Sequence, residues 1–75
     1  MKNSYSPDKD TIFKMREQYP NGTRVVLEKM NDPQAPPVGT TGTVLGIDDT
    51  GSILVSWDNG SMLNVLFGVD RVRKA

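Results

Sequence analysis

Ile53, Val55 and Trp57 alternate with Leu54, Ser56 and Asp58, and a second apolar set, Met62, Leu63 and Val65, follows Asn59-Gly60. Alternation with period two on both sides of an Asn-Gly turn predicts a β-hairpin. Loop length sets its register. A two-residue turn pairs Trp57 with Met62 and sends Leu63 and Val65 to the face opposite Val55. A three-residue Asp58-Asn59-Gly60 loop, with Gly60 at positive φ, pairs Trp57 with Ser61, Val55 with Leu63 and Ile53 with Val65. The second register gathers five apolar side chains on one face and is the one expected. It leaves Leu54, Ser56, Met62 and Asn64 pointing outward.

The same pattern, extended along the chain, gives the other elements. Ser6-Pro7-Asp8 reads as a helix start with Ser6 as N-cap, and Ile12, Met15 and Tyr19 recur at helical spacing. A helix is expected over 7–18, ended by Pro20 and Gly22. Thr23 to Met30 reads as the first strand, with Val25 and Leu27 on one face and Val26 on the other. Asn31 to Gly39 carries Pro33, Pro36 and Pro37, which exclude a central strand. Thr41 to Ile47 is the second strand. With Asp48-Asp49-Thr50-Gly51 as a four-residue loop, Gly46 faces Ile53, Val44 faces Val55 and Gly42 faces Trp57; a five-residue loop would turn Leu45 and Ile47 inward instead. Leu66-Phe67-Gly68 is a turn and Val69 to Lys74 a last strand. The expected organisation is disorder over 1–5, a helix over 6–19, and an all-β unit over 20–75. Five short strands joined by one long stiff loop, two hairpins and a one-turn link match the order of a small five-stranded SH3-like barrel.

Size and composition narrow the function. At 75 residues the chain is one domain that buries roughly 60% of its unfolded surface, too little for a core and a deep substrate pocket together. It contains no cysteine and no histidine, which removes thiolate chemistry, the commonest general base and the commonest zinc ligand. Every familiar catalytic arrangement lacks a member, so no enzyme is expected, and no cofactor. No apolar run reaches a membrane span and the N-terminus does not read as a signal peptide. A cytoplasmic protein without membrane contact is expected, as a monomer or weak homodimer.

Five aspartates, Asp32, Asp48, Asp49, Asp58 and Asp70, fall in residues 31–70, which hold no lysine or arginine. Asp48, Asp49 and Asp58, placed on hairpin tips, are expected as turn residues rather than cation ligands. The cations stand at the two ends: Lys9, Lys14 and Arg16 on the helix, Arg71, Arg73 and Lys74 on the last strand. They are the candidate nucleic-acid contacts, a partner disfavoured by the acidic segment between them and by the missing stacking platform. The favoured reading is a protein-interaction module with Leu54, Met62 and Val26 as candidate contacts, unless the helix covers them.

Taken together, Tyr19-Pro20-Asn21-Gly22-Thr23-Arg24-Val25, Asn31-Asp32-Pro33-Gln34-Ala35-Pro36-Pro37, Gly39-Thr40-Thr41-Gly42-Thr43-Val44, Ile47-Asp48-Asp49-Thr50-Gly51-Ser52-Ile53 and Trp57-Asp58-Asn59-Gly60-Ser61 resemble a bacterial domain-of-unknown-function family. Its members are short SH3-like proteins often encoded near mobile elements. The resemblance spans roughly residues 19–73. It implies the barrel fold and a protein partner or, alternatively, an accessory role at nucleic acid. It carries no catalytic or ligand-binding residue over to this chain.

Overall fold

The computed structural model describes residues 7–75. The expectation of disorder over 1–5 and the side chain of Ser6 lie outside them. Helix α1 spans Lys9–Gln18 and strands β1 to β4 span Arg24–Lys29, Thr41–Ile47, Ile53–Trp57 and Arg71–Lys74. The four strands form one antiparallel sheet in the order β3-β2-β1-β4. The protein is thus mostly β with one helix, in an open sheet of four strands where the sequence predicted a closed barrel of five.

The missing strand is the 62–65 segment, and one side chain explains its loss. The three-residue turn forms as expected: Gly60 has φ +93°, its N–H donates to Trp57 O at 3.0 Å, and Trp57 N–H donates to Ser61 O at 3.0 Å. The far end of the hairpin also closes, with reciprocal bonds of 2.8 and 2.9 Å between Ile53 and Val65. Between them the Leu63 carbonyl accepts the Trp57 indole N–H at 2.8 Å. No backbone hydrogen bond joins Val55 to Leu63, so the expected pairing there is not made. The indole is fully buried in the core, and its one N–H needs an acceptor there. Leu63 supplies it and bows out of the ladder, half-buried.

The first hairpin turns the same way, on three residues rather than the expected four. Asp48 N–H donates to Ser52 O at 3.0 Å, Gly51 N–H donates to Asp48 O at 3.1 Å, and Gly51 has φ +86°. This sets Ile47 opposite Ile53 and Gly46 opposite Leu54, correcting the expected Gly46–Ile53 pair. Val44 nonetheless faces Val55, and Gly42 faces Trp57, as expected. Val44 and Ile47 are an odd number of residues apart, so period-two alternation cannot turn both inward. A bulge between Val44 and Gly46 supplies the extra residue and puts Leu45 in solvent. Opposite the indole, Gly42 is obligatory: a Cβ there would come within 2.8 Å of Trp57 Cε3 and 2.7 Å of Val55 Cγ1.

Val25, Leu27, Val44, Ile47, Ile53, Val55, Trp57 and Val65 form the core, and Ile12 of α1 joins it with Met15 and Tyr19 alongside. The helix starts two residues later than expected. Its N-cap is Asp8, whose carboxylate accepts from Thr11 N–H at 2.8 Å, and Pro7 stands before the cap. Arg16 ties the helix to the sheet, its guanidinium donating to Ile47 O at 3.2 and 3.0 Å and to Asp49 at 3.0 Å. The helix therefore covers the core side of the sheet. The outer face, with Leu54, Ser56, Thr43, Thr41 and Val26, stays half-open to solvent. Among the described residues, no helix is long and apolar enough to cross a membrane.

Candidate interaction surface

Polar side chains organise the outer face. Arg24, on β1, reaches across β2 to the end of β3. One of its nitrogens donates to Thr43 Oγ1 at 2.8 Å and Asp58 Oδ1 at 2.9 Å, the other to Asp58 Oδ2 at 2.5 Å. Thr41 donates to the same Asp58 oxygen at 2.5 Å. The fork-to-fork geometry is the strong form of an arginine–carboxylate pair. The Arg24 hydrogen bonds, followed by the Thr41 hydroxyl, lower the Asp58 carboxyl to about 2, and the same pairing raises the Arg24 guanidinium further above its usual range. Asp48 works inside its own turn. It accepts from Thr50 Oγ1 at 2.7 Å and from the N–H groups of Thr50 and Ser52, both at 2.9 Å, which also lowers its carboxyl, the Thr50 hydroxyl most. The third aspartate, Asp49, faces Arg16. Each of these carboxylates thus has a separate structural partner: Asp48 bonds within its own turn, whereas Asp58 and Asp49 pair with arginines of other elements.

The predicted contact residues do not form one patch. Leu54 stands opposite Gly46 on β3, whereas Val26 stands between Thr41 and Arg73. The Ser56–Thr43–Arg24 row separates them. Met62 lies beyond the turn and is 61% exposed. The cations are also dispersed. Arg16 is engaged with the β2–β3 loop, and Lys14 points from the opposite side of α1. Lys9 lines a groove of about 450 Å³ with Phe13, Ile12, Arg16 and Asp49. Arg73 pairs with Glu28 at 3.5 Å on the outer face, and Arg71 shares that face. Lys74 lies on the other, 5.5 Å over the Tyr19 ring.

What the chain does build is a groove between the β1–β2 loop and the 63–70 segment. Met30, Leu63, Leu66 and Val69 line it, with Asn31, Asp32, Asn64 and Asp70 around them, and it encloses about 280 Å³. Leu66 and Val69 are 47% and 50% exposed, so this apolar wall is open to water. Its shape is fixed by two turns. Asp32 accepts from Gln34 N–H at 2.8 Å. Asp70 accepts from Leu66 N–H at 2.9 Å and returns its own N–H to Leu66 O at 3.0 Å. The sequence reading assigned Leu63 to the core and missed Met30, Leu66 and Val69. The available signal was the cluster Val65, Leu66, Phe67 and Val69 around Gly68, more apolar residues than one short link can bury. Pro33-Gln34 is a turn and Pro36 is buried, so this stretch closes the loop beside the groove.

Comparison with known proteins gives one match. The model of a family described as a domain of unknown function, DUF4314, matches residues 8–75, a span that contains the segments carrying the resemblance read from the sequence. No curated protein and no solved structure matches the chain.

Proposed function

We infer that this chain, which belongs to the DUF4314 family, is a non-enzymatic protein-interaction module. The observation that carries this reading is the groove of Met30, Leu63, Leu66 and Val69, apolar, half-exposed and held in shape by the Asp32 and Asp70 turns. Exposed apolar surface with a polar rim is characteristic of protein contacts. Three further features support it. The chain has no histidine or cysteine for nucleophilic or acid–base work. Two of its carboxylates, Asp48 and Asp58, are committed to structural hydrogen bonds. The cations that a nucleic-acid contact would need are dispersed over both faces of the sheet and two sides of the helix, so they present no continuous track for phosphates.

The test is capture of partners by the tagged full chain from its native cell, with and without nuclease, in parallel with Leu66→Asp and Val69→Asp. A protein retained after nuclease treatment and lost from both variants supports the reading. Capture that nuclease abolishes, or that falls steeply with salt and ignores both substitutions, replaces it with nucleic-acid binding.

A further inference from the structure

Among the described residues, strand β4 is an edge strand, bonded to β1 on one side only. The phase of that ladder decides which groups are left over. Ala75 N–H donates to Arg24 O at 3.0 Å, and bonded positions in an antiparallel ladder recur at every second residue. Arg73, opposite Val26, therefore turns its N–H and C=O toward β1. Val72 and Lys74 turn theirs toward the open edge.

The side chains along this edge are sorted by face. Val72 and Lys74 stand opposite Leu27 and Val25, on the core side. There Val72 borders a shallow groove of about 140 Å³ whose other walls include Met15, Tyr19 and Phe67. Arg71 and Arg73 alternate with them and lie on the outer face, where Lys29 stands opposite Arg71. An added strand continues both faces of the sheet: every second side chain meets the apolar groove, and those between meet the arginines.

We propose that the open edge of β4 takes an extended segment of a partner protein in which apolar residues alternate with Asp or Glu. The main-chain groups of Val72 and Lys74 bond the segment, the groove beside Val72 takes its apolar residues, and Arg71 takes its carboxylates, joined by Arg73 as it exchanges its exposed pair with Glu28 for the segment. Charge selects this occupant. A second copy pairing β4 with β4 would set Arg71 and Arg73 against their own kind, and like charges across a ladder destabilise it. The proposal rests on the interaction reading above but uses a different surface from the Met30–Val69 groove, so the two can fail separately.

The probe is a short capped peptide alternating valine and glutamate, titrated into the full chain and followed by amide chemical shifts and hydrogen exchange. The expected result is that the largest shifts and new protection fall at Val72 and Lys74, while a valine–lysine peptide leaves β4 unperturbed. Arg71→Glu with Arg73→Glu should weaken the glutamate peptide about tenfold or more and admit the lysine peptide. Lys74→Pro removes an outward N–H without touching the β1 ladder, and should weaken binding where Lys74→Ala does not. Should Lys74→Pro disturb the fold, a valine–glutamate peptide N-methylated on its bonding edge gives the same test from the other side, and should not bind. Shifts centred away from β4, equal binding of both peptides, or a preference of β4 for oligothymidylate would overturn the proposal. Loss of partner capture in Leu66→Asp and Val69→Asp, with β4 silent to the peptide, would remove the edge contact and leave the interaction reading standing.

Discussion

The indole N–H of Trp57 donates to the carbonyl of Leu63 across 2.8 Å, inside the hairpin whose ladder that carbonyl would otherwise complete. The largest core side chain thus satisfies its single donor with the backbone of its own hairpin. Two substitutions separate the roles. Trp57→Ala should cost about 3–5 kcal/mol, comparable to all the stability one small core supplies, and leave the chain largely unfolded at room temperature. Trp57→Phe keeps most of the packing and orphans Leu63 O, so it should fold with a lower melting temperature. A Trp57→Ala protein with a native-like amide spectrum would show that the core does not depend on the indole.

Two glycines should respond to alanine for different reasons. Gly60 has φ +93°, and a Cβ there would meet nothing within 4 Å, so Gly60→Ala costs only the left-handed backbone, about 1–2 kcal/mol. At Gly42 a Cβ would come within 2.7 Å of Val55 and 2.8 Å of Trp57, and overpacking of that kind costs about 1–3 kcal/mol or more. Thermal unfolding should therefore rank Gly42→Ala below Gly60→Ala. A Gly42→Ala protein as stable as the parent would mean that the sheet yields at its centre.

Acid should expose the Arg24–Asp58 clamp. The Asp58 carboxyl is lowered to about 2, against about 3.9 for an unfolded aspartate. Its contribution to stability is present above the unfolded value and is lost as the pH falls from about 4 through about 2, because the unfolded carboxylate takes up its proton first and the folded one only at the acid end of that window. Asp58→Asn should lower the melting temperature at neutral pH and flatten its decline in that acid window. Superimposable acid curves for the two proteins would show that the clamp adds nothing.

Arg16 is the cation whose removal should loosen the helix. It donates to Ile47 O and to Asp49, and a charge-assisted bond of this type contributes about 1.5–3 kcal/mol. Arg16→Ala should raise hydrogen exchange throughout Lys9–Gln18 while the Val44 and Val55 amides keep their protection. Equal exchange in both proteins would show that the packing of Ile12, Met15 and Tyr19 holds the helix without Arg16.

Much of this was readable from sequence because it depends on local chemistry. Asn59-Gly60 specified its turn, alternation placed Val55 and Trp57 inside, and the prolines marked the long loop. The errors came from longer-range competition. The indole took Leu63 O, which no local pattern encodes, and this removed a strand. Val44 and Ile47 both sought the core at incompatible spacing, and a bulge resolved the conflict. Asp8 displaced the expected cap because its carboxylate reaches Thr11 N–H. The candidate surface was the least legible part. Leu54 and Met62 follow from an ideal hairpin and Val26 from alternation on the first strand, whereas the groove is made where that hairpin departs from ideality, at Leu63, and where a turn meets a loop.

The order of strands in the sheet also dictates the order of events in folding. The β2–β3 hairpin closes over three residues, Asp49-Thr50-Gly51, on the fast timescale of local hairpins. The β1–β4 pairing must bring Val25 to Lys74, across most of the chain, and the loop entropy of that search comes before any reward from its contacts. Substitutions such as Val55→Ala, in the hairpin, should slow refolding. Val72→Ala, on the late-arriving strand, should leave the refolding rate nearly unchanged and speed unfolding. A chevron plot of each distinguishes the two, and makes β4 the strand whose departure begins the loss of the native state.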